Sequence, residues 1–296
     1  MNCFAVSGCE RISLPEPVEL VFRADEDAPA DRLTAAFAAS PGVEITGLQV
    51  DREDGSLFFE GIVDEQIQSG TLLTLSCRSR AALLLDNEAL PQEYAAPSLG
   101  LIFERHIRPY GFTAFRGNGT VFSSAFSVTK GMSEWQAAEA FCKQYLKTEP
   151  RAVGTVFDAS GETPGIPVRF GGVGGVRYSS LAVRREWNKA ITEVYAKSGV
   201  GAYLLKAEDT KAEALGIVRR RFLSKADSDA AALLKAVQRK TLELVLDCPG
   251  GIPAALSAPA AVLDPALGNF EALAVAGLRL ERSPGGEHCI VTLRRN

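Results

Sequence analysis

The chain has 296 residues, 46% of them hydrophobic and 23% charged, and its 32 basic and 36 acidic residues give a formal charge of −4. At roughly 150 residues per domain, this length suits two domains with real cores, and the composition excludes disordered, collagen-like and coiled-coil classes. The acidic excess argues against nucleic acid as the main partner, and only two histidines, His106 and His288, leave few routes to acid-base or metal chemistry.

The first nine residues lack a basic segment followed by a long apolar one, so they do not read as a secretory signal. The longest apolar candidate, 252–263, is broken by Pro253 and Pro259 and is too short to span a bilayer. These features predict a soluble protein made in a cytoplasm. Six cysteines (Cys3, Cys9, Cys77, Cys142, Cys248 and Cys289) show no zinc-type spacing. Cys77, Cys248 and Cys289 fall on inward-facing positions of alternating strands and read as free, packed thiols. Only Cys3 and Cys9 are near enough in sequence to pair locally, and whether they do is left open.

In chain order, residues 12–24 read as an opening strand with an edge-like start at Pro15 and Pro17. A helix is predicted next, with Pro29 at its first position, Asp31 in its first turn, Leu33, Ala36 and Phe37 on one face, and Pro41-Gly42 as its stop. Strands follow at 44–51, 57–64 and 71–78. In the last of these, Leu73, Leu75 and Cys77 alternate with polar residues, as a half-buried antiparallel strand requires. One helix with this meander points to a small barrel.

From about residue 80 the pattern turns mixed. A helical turn is expected at 81–86, a helix at 98–108 ended by Pro109 and Gly111, a strand at 121–128, and a helix from Ser133 to about Lys147. Ser133 and Gln136 form a capping box, and Trp135, Ala138, Cys142 and Tyr145 form the buried face, flanked by Phe141 and Leu146. Turn clusters occupy 158–165 and 170–175. Strands are then expected at 178–187, 190–195 and 203–208, with 214–223 open between strand and helix. A helix at 227–240 with core face Ala230, Leu233, Leu234 and Val237 leads into a strand at 242–248. A parity change between Leu273/Val275 and Leu278/Leu280 predicts a β-bulge near Gly277, and Ser283-Pro284-Gly285-Gly286 turns into a final strand at 289–293.

No catalytic, cofactor-binding or metal-binding residue emerges. His106 lies on an apolar helix side, and its nearest carboxylate in sequence, Glu104, is on a different face. His288 reads as a surface residue beside a turn. The glycines at 171, 172, 174 and 175 lack phosphate-loop spacing and read as a flexible hairpin or linker. Arg184-Arg185 and Arg219-Arg220-Arg221 would alternate faces on strands and lack interleaved aromatics, so they read as solvated or subunit-facing charge. Asp25, Glu26 and Asp27 read as compensating the dipole of the helix predicted after them. Trp135 and Trp187 are both expected to be buried or embedded in a sheet.

Three stretches carry a family resemblance. They are Phe59-x-Gly61-x-Val63-Asp64; Gly70-x-x-Leu73-x-Leu75-x-x-Arg78-Ser79-x-Ala81-x-x-Leu84-Leu85-Asp86; and Lys130-Gly131-x-Ser133-Glu134-Trp135. With Pro91, Tyr94 and Ile107-Arg108-Pro109-Tyr110-Gly111, this region, 57–150, resembles phage tail baseplate hub proteins of contractile phages, prophages and tailocins (late-control-D-like and Mu-like hubs). The resemblance implies a mostly β fold with an α+β insert: two tail-tube-like antiparallel β-barrels, 1–85 and 176–296, flanking a mixed α/β segment, 86–175. It further implies a non-enzymatic homotrimer whose six barrels adapt a six-fold tail tube to a three-fold central spike in the tail baseplate, assembled in a bacterial cytoplasm. Implied partners are the tail tube, the spike, other baseplate proteins and the tape-measure C-terminus, with no cofactor, nucleic-acid specificity or membrane insertion. A carbohydrate- or receptor-binding tail module, which would need an exposed aromatic groove, ranks second, and a tail-associated cell-wall hydrolase third.

Overall fold

The computed structural model describes residues 1–162, 165–198, 201–224, 229–252 and 254–296. The chain is mostly β and forms two compact units, 1–163 with 279–287, and 164–278 with 288–296.

In the first unit, β1 (Asn2–Ser7), β2 (Glu10–Leu14), β3 (Glu19–Asp25), β4 (Arg32–Ala38), β5 (Gly47–Asp51), β6 (Leu57–Ser69) and β7 (Leu72–Ser79) pair antiparallel in the order β3-β4-β7-β6-β5-β1-β2. Alternation builds the core, because Leu33, Ala35 and Phe37 of β4, Leu48 and Val50 of β5, and Leu73, Leu75 and Cys77 of β7 all point to one side and are buried. The helix predicted after Pro29 is therefore β4. Its Leu33/Phe37 spacing fits a helix face, but Leu33, Ala35 and Phe37 also fit a period of two, and pairing with β3 and β7 selects the strand. Asp25, Glu26 and Asp27 consequently serve no helix: the Asp25 carboxylate accepts the Asp27 amide at 2.8 Å in a strand-to-strand turn. The strand expected at 12–24 is two strands, β2 and β3, separated around Pro15 and Pro17, and a further strand, β1, precedes them.

The rest of this unit has its own aromatic core. It comprises α1 (Ala81–Asp86), β8 (Gln92–Tyr94), α2 (Leu99–Ile102), β9 (Ala114–Arg116), β10 (Phe126–Val128), α3 (Glu134–Phe141), β11 (Arg151–Val153) and β12 (Val156–Asp158). The helix expected at 98–108 begins on Ser98, whose hydroxyl accepts the Leu101 amide, and passes from α2 into a π turn, Phe103–Ile107, and a 3₁₀ turn, Arg108–Tyr110. Gly111 closes it at φ +83°. Only the end of the strand expected at 121–128 forms, as β10 against β8. Phe103, Phe126, Trp135, Phe141 and Phe157 fill the interior. Phe141, expected to flank the α3 core face, is fully buried.

The second unit contains β13 (Val168–Phe170), β14 (Ser180–Arg185), β15 (Glu193–Lys197), β16 (Tyr203–Glu208), α4 (Thr210–Ala214), β17 (Arg220–Leu223), α5 (Ala230–Arg239), β18 (Leu242–Pro249), β19 (Pro259–Asp264) and, apart from residues 279–287, β20 (Gly268–Ser283) and β21 (Gly286–Arg295). The stretch 214–223 thus resolves into the end of α4, a loop and β17. One sheet runs β14-β18-β21-β20, with β19 antiparallel to β20 and β13 parallel to β19. A second, β16-β15-β17, takes α5 on one face, where Val194, Ala230 and Leu234 pack together. The register shift described along β20 lies at Glu271 and Ala272, the latter at φ +53°, upstream of the bulge expected near Gly277. Around Gly277 the strand is buried on consecutive residues, 273–277. The expected helix start at Asp227 and the turn residues Thr163 and Pro164 lie outside the described residues.

Candidate functional site

The buried polar groups of the first unit gather around His106. The π turn swings its imidazole into the core, where it is 1% exposed. Its partner comes from α3: Glu134, in the first turn after the Ser133 cap, places Oε2 2.6 Å from His106 Nδ1. Tyr94, at the end of β8, sets its hydroxyl 2.8 Å from Nε2, and Tyr110 donates to Glu134 Oε1 at 3.0 Å. The carboxylate fixes the tautomer: Nδ1–H donates to Glu134, which leaves Nε2 to accept from the Tyr94 hydroxyl. Burial raises both phenol pKa values, and the Glu134 carboxylate raises that of Tyr110 further.

A Glu–His–Tyr chain can relay protons in principle. Here every polar atom of the chain is spent on another member, and its surroundings are Phe126, Phe103 and neighbouring aromatics. What it does physically is to lock β8, the π turn, the 3₁₀ turn and α3 to one another. Glu134, 28 residues away, is the carboxylate partner of His106, and Glu104, nearest in sequence, instead pairs with Arg108. The available signal was Glu134 itself, which occupies the first turn of a helix on a side that turns inward.

The resemblance-bearing residues converge in the same way. Asp64 is the extra residue of a β-bulge in β6, since Val63 pairs with Cys77 and Glu65 with Ser76. The bulge aims its carboxylate at Arg78, which it meets through Nε at 2.6 Å and Nη2 at 2.9 Å. Asp86, at the end of α1, holds the same guanidinium at 2.7 and 3.1 Å. The Arg78 hydrogen bonds lower the Asp86 pKa and the two carboxylates raise that of Arg78. Ser79 is tied to Asp31, accepting its amide on Oγ at 3.0 Å and donating its own amide to the Asp31 carbonyl at 2.8 Å. Gly61 must lack a side chain, because a Cβ there would lie 2.3 Å from the Arg78 carbonyl oxygen. Ser133 accepts the Gln136 amide while Gln136 accepts that of Ser133, completing the expected capping box, and Trp135 is 4% exposed.

In the second unit the glycine cluster is a packed turn, not a loose linker. The Gly171 amide donates to the Val176 carbonyl at 2.9 Å, and a Cβ on Gly171 would meet the Leu263 carbonyl oxygen at 2.3 Å. Trp187, expected to be embedded, is 43% exposed on a short turn, Trp187–Lys189. Arg219 donates to the Trp187 backbone carbonyl at 2.5 Å. All six cysteines are free, Cys9 exposed and the others buried. Among the described residues no group of three or more His, Cys, Asp or Glu side chains is placed to hold a metal, and no helix is long and apolar enough to cross a membrane.

The two-unit, mostly β architecture with its aromatic α/β portion is the fold of phage tail proteins. A tail protein from Neisseria meningitidis MC58 matches over 100% of this chain and 96% of its own, with a TM-score of 0.76 at 15% identity. The 43 kDa tail protein of prophage MuSo2 from Shewanella oneidensis matches over 100% and 98%, with a TM-score of 0.76 at 14% identity. An Escherichia coli component of the type VI secretion system, described as similar in structure to the T4 tail proteins gp27 and gp5, matches over 96% and 75%, with a TM-score of 0.55 at 9% identity. No protein-family model and no curated protein matches the chain by sequence.

Proposed function

We propose that this protein is a structural hub of a phage-tail-like baseplate. Three copies form a ring to which each contributes two tail-tube-like barrels, 1–85 and 176–296, with 86–175 between them. The ring adapts a six-fold tail tube to a three-fold central spike and works by binding alone. Its partners are the tube protein, the spike and neighbouring baseplate proteins, and its place is the tail baseplate of the particle. The observation that carries this reading is the end-to-end match to two tail proteins, which leaves almost nothing of either chain over. The consumption of His106, Glu134, Arg78 and Asp64 by internal contacts fits a scaffold.

The test is the mass of the purified chain, alone and mixed with its cognate tube protein, by native mass spectrometry. A species of three 31.6 kDa chains, free or seated on the tube, is expected. A chain that remains monomeric in both settings would overturn the proposal.

A further inference from the structure

The six cysteines are scattered in sequence, yet the strand registers bring two of them face to face. Cys248, near the end of β18, lies directly opposite Cys289 of β21 in an antiparallel ladder. Both sit on the buried face where Leu244 and Leu246 oppose Leu293 and Val291, and they are 0% and 3% exposed. The other cysteines have no such neighbour: Cys3 pairs with Leu14 and Val50, Cys77 with Leu33 and Val63, and Cys9 and Cys142 lie outside the strands. The hydrogen-bond phase of β18 sets the spacing of the pair. Glu186, continuing the β14–β18 register, donates its amide to the Thr241 carbonyl at 2.9 Å. Odd-numbered residues of β18 therefore turn their backbone groups toward β14 and even-numbered ones toward β21. Cys248 and Cys289 are thus a hydrogen-bonded pair, whose Cα atoms stand about 5.5 Å apart, and disulfides span about 4.4–6.8 Å between Cα atoms. The Cβ atoms of such a pair, about 5.5 Å apart, must close to about 4.5 Å to bond, which strains the disulfide and makes it easy to reduce.

The ladder ends one pair further on, at Pro249 and His288, with Gly250, Gly251, Gly285 and Gly286 close by. Burial raises the Cys248 pKa from 9.0 to about 11. The closed ladder therefore holds an unreactive thiol, and fraying of its end is what admits an oxidant. We propose that Cys248 and Cys289 are a site of reversible oxidation, which a small disulfide such as oxidised glutathione converts to a cross-strand disulfide. One protein thiol gives up its proton, attacks the small disulfide and expels the first small thiolate. The second protein thiol then gives up its proton, attacks the protein sulfur of the mixed disulfide and expels the other. The protein loses two electrons and two protons, and one small disulfide becomes two thiols. In the hub reading, release of the particle carries the chain from reducing to oxidising surroundings, where the bond closes; the bond itself does not depend on that reading.

The full chain is incubated under folding conditions with oxidised or with reduced glutathione, quenched with N-ethylmaleimide in denaturant, and digested with trypsin without reduction. Cleavage after Arg279 and Arg282 places the two cysteines on separate peptides, 241–279 and 283–294. Mass spectrometry is expected to find these peptides joined within single chains in most of the oxidised sample, and alkylated in nearly all of the reduced one. Cys289→Ala is expected to leave Cys248 alkylated or carrying one glutathione, with no link to another cysteine, and Cys248→Ala to do the same for Cys289. Circular dichroism is expected to stay native throughout the oxidation. The proposal fails if both thiols remain open to alkylation after oxidised glutathione, or if they take up glutathione without linking. It fails equally if the link joins two chains, forms only in urea that unfolds the chain, or survives millimolar reduced glutathione.

Discussion

At the scale of single residues, the buried imidazole–carboxylate pair of His106 and Glu134 makes an exacting demand on its partners. Glu134→Ala leaves the His106 Nδ1–H and the Tyr110 hydroxyl without their acceptor. The expected loss is about 3 kcal/mol of unfolding free energy in urea titration, with a smaller loss for Glu134→Gln. Removing His106 as well should cost less than the sum of the two single losses, because the partners are coupled. Asp31 acts in the opposite sense: burial raises its pKa from 3.8 to about 6. The folded state therefore binds this proton more tightly than the unfolded chain, and stability is greatest below about pH 3.8 and falls as pH rises through 6. Its carboxylate keeps some solvent contact, so the cost at neutral pH is of order 1–3 kcal/mol. Asp31→Asn is expected to raise the melting temperature at pH 7 to 8 and to lose that advantage near pH 4.

At the scale of elements, α3 owes its start to the reciprocal Ser133 and Gln136 bonds, and Ser133→Ala is expected to cost about 1 kcal/mol by thermal or chemical denaturation. This cap was legible in sequence because it depends on residues three apart, as were β7, β16 and α5. β4 was not, since its apolar residues satisfy two periods at once and only the strands on either side decide between them. Around Gly277 parity has little to report, because residues 273–277 of β20 are all buried. The Glu134 partner of His106 and the Arg219 bond to the Trp187 carbonyl were invisible because contacts across 28 and 32 residues leave no local pattern. The Asp64–Arg78–Asp86 cluster was half visible, its residues marked by the resemblance and their meeting supplied only by the bulge.

At the scale of the whole molecule, the low histidine content and near-neutral charge argue for a chain without a catalytic site, while the two units divide that charge into −10 (15 basic, 25 acidic) and +6 (17 basic, 11 acidic). Assembly state is the measurement that tests the molecule as a whole. The interrupted first unit adds a constraint on biosynthesis. Its segment 279–287 emerges only after the 115 residues of 164–278. Tying that segment back costs about 4 kcal/mol of chain entropy on a flexible-loop estimate. The first unit therefore gains its last segment only after 164–278 has been made, and its folding waits on that synthesis.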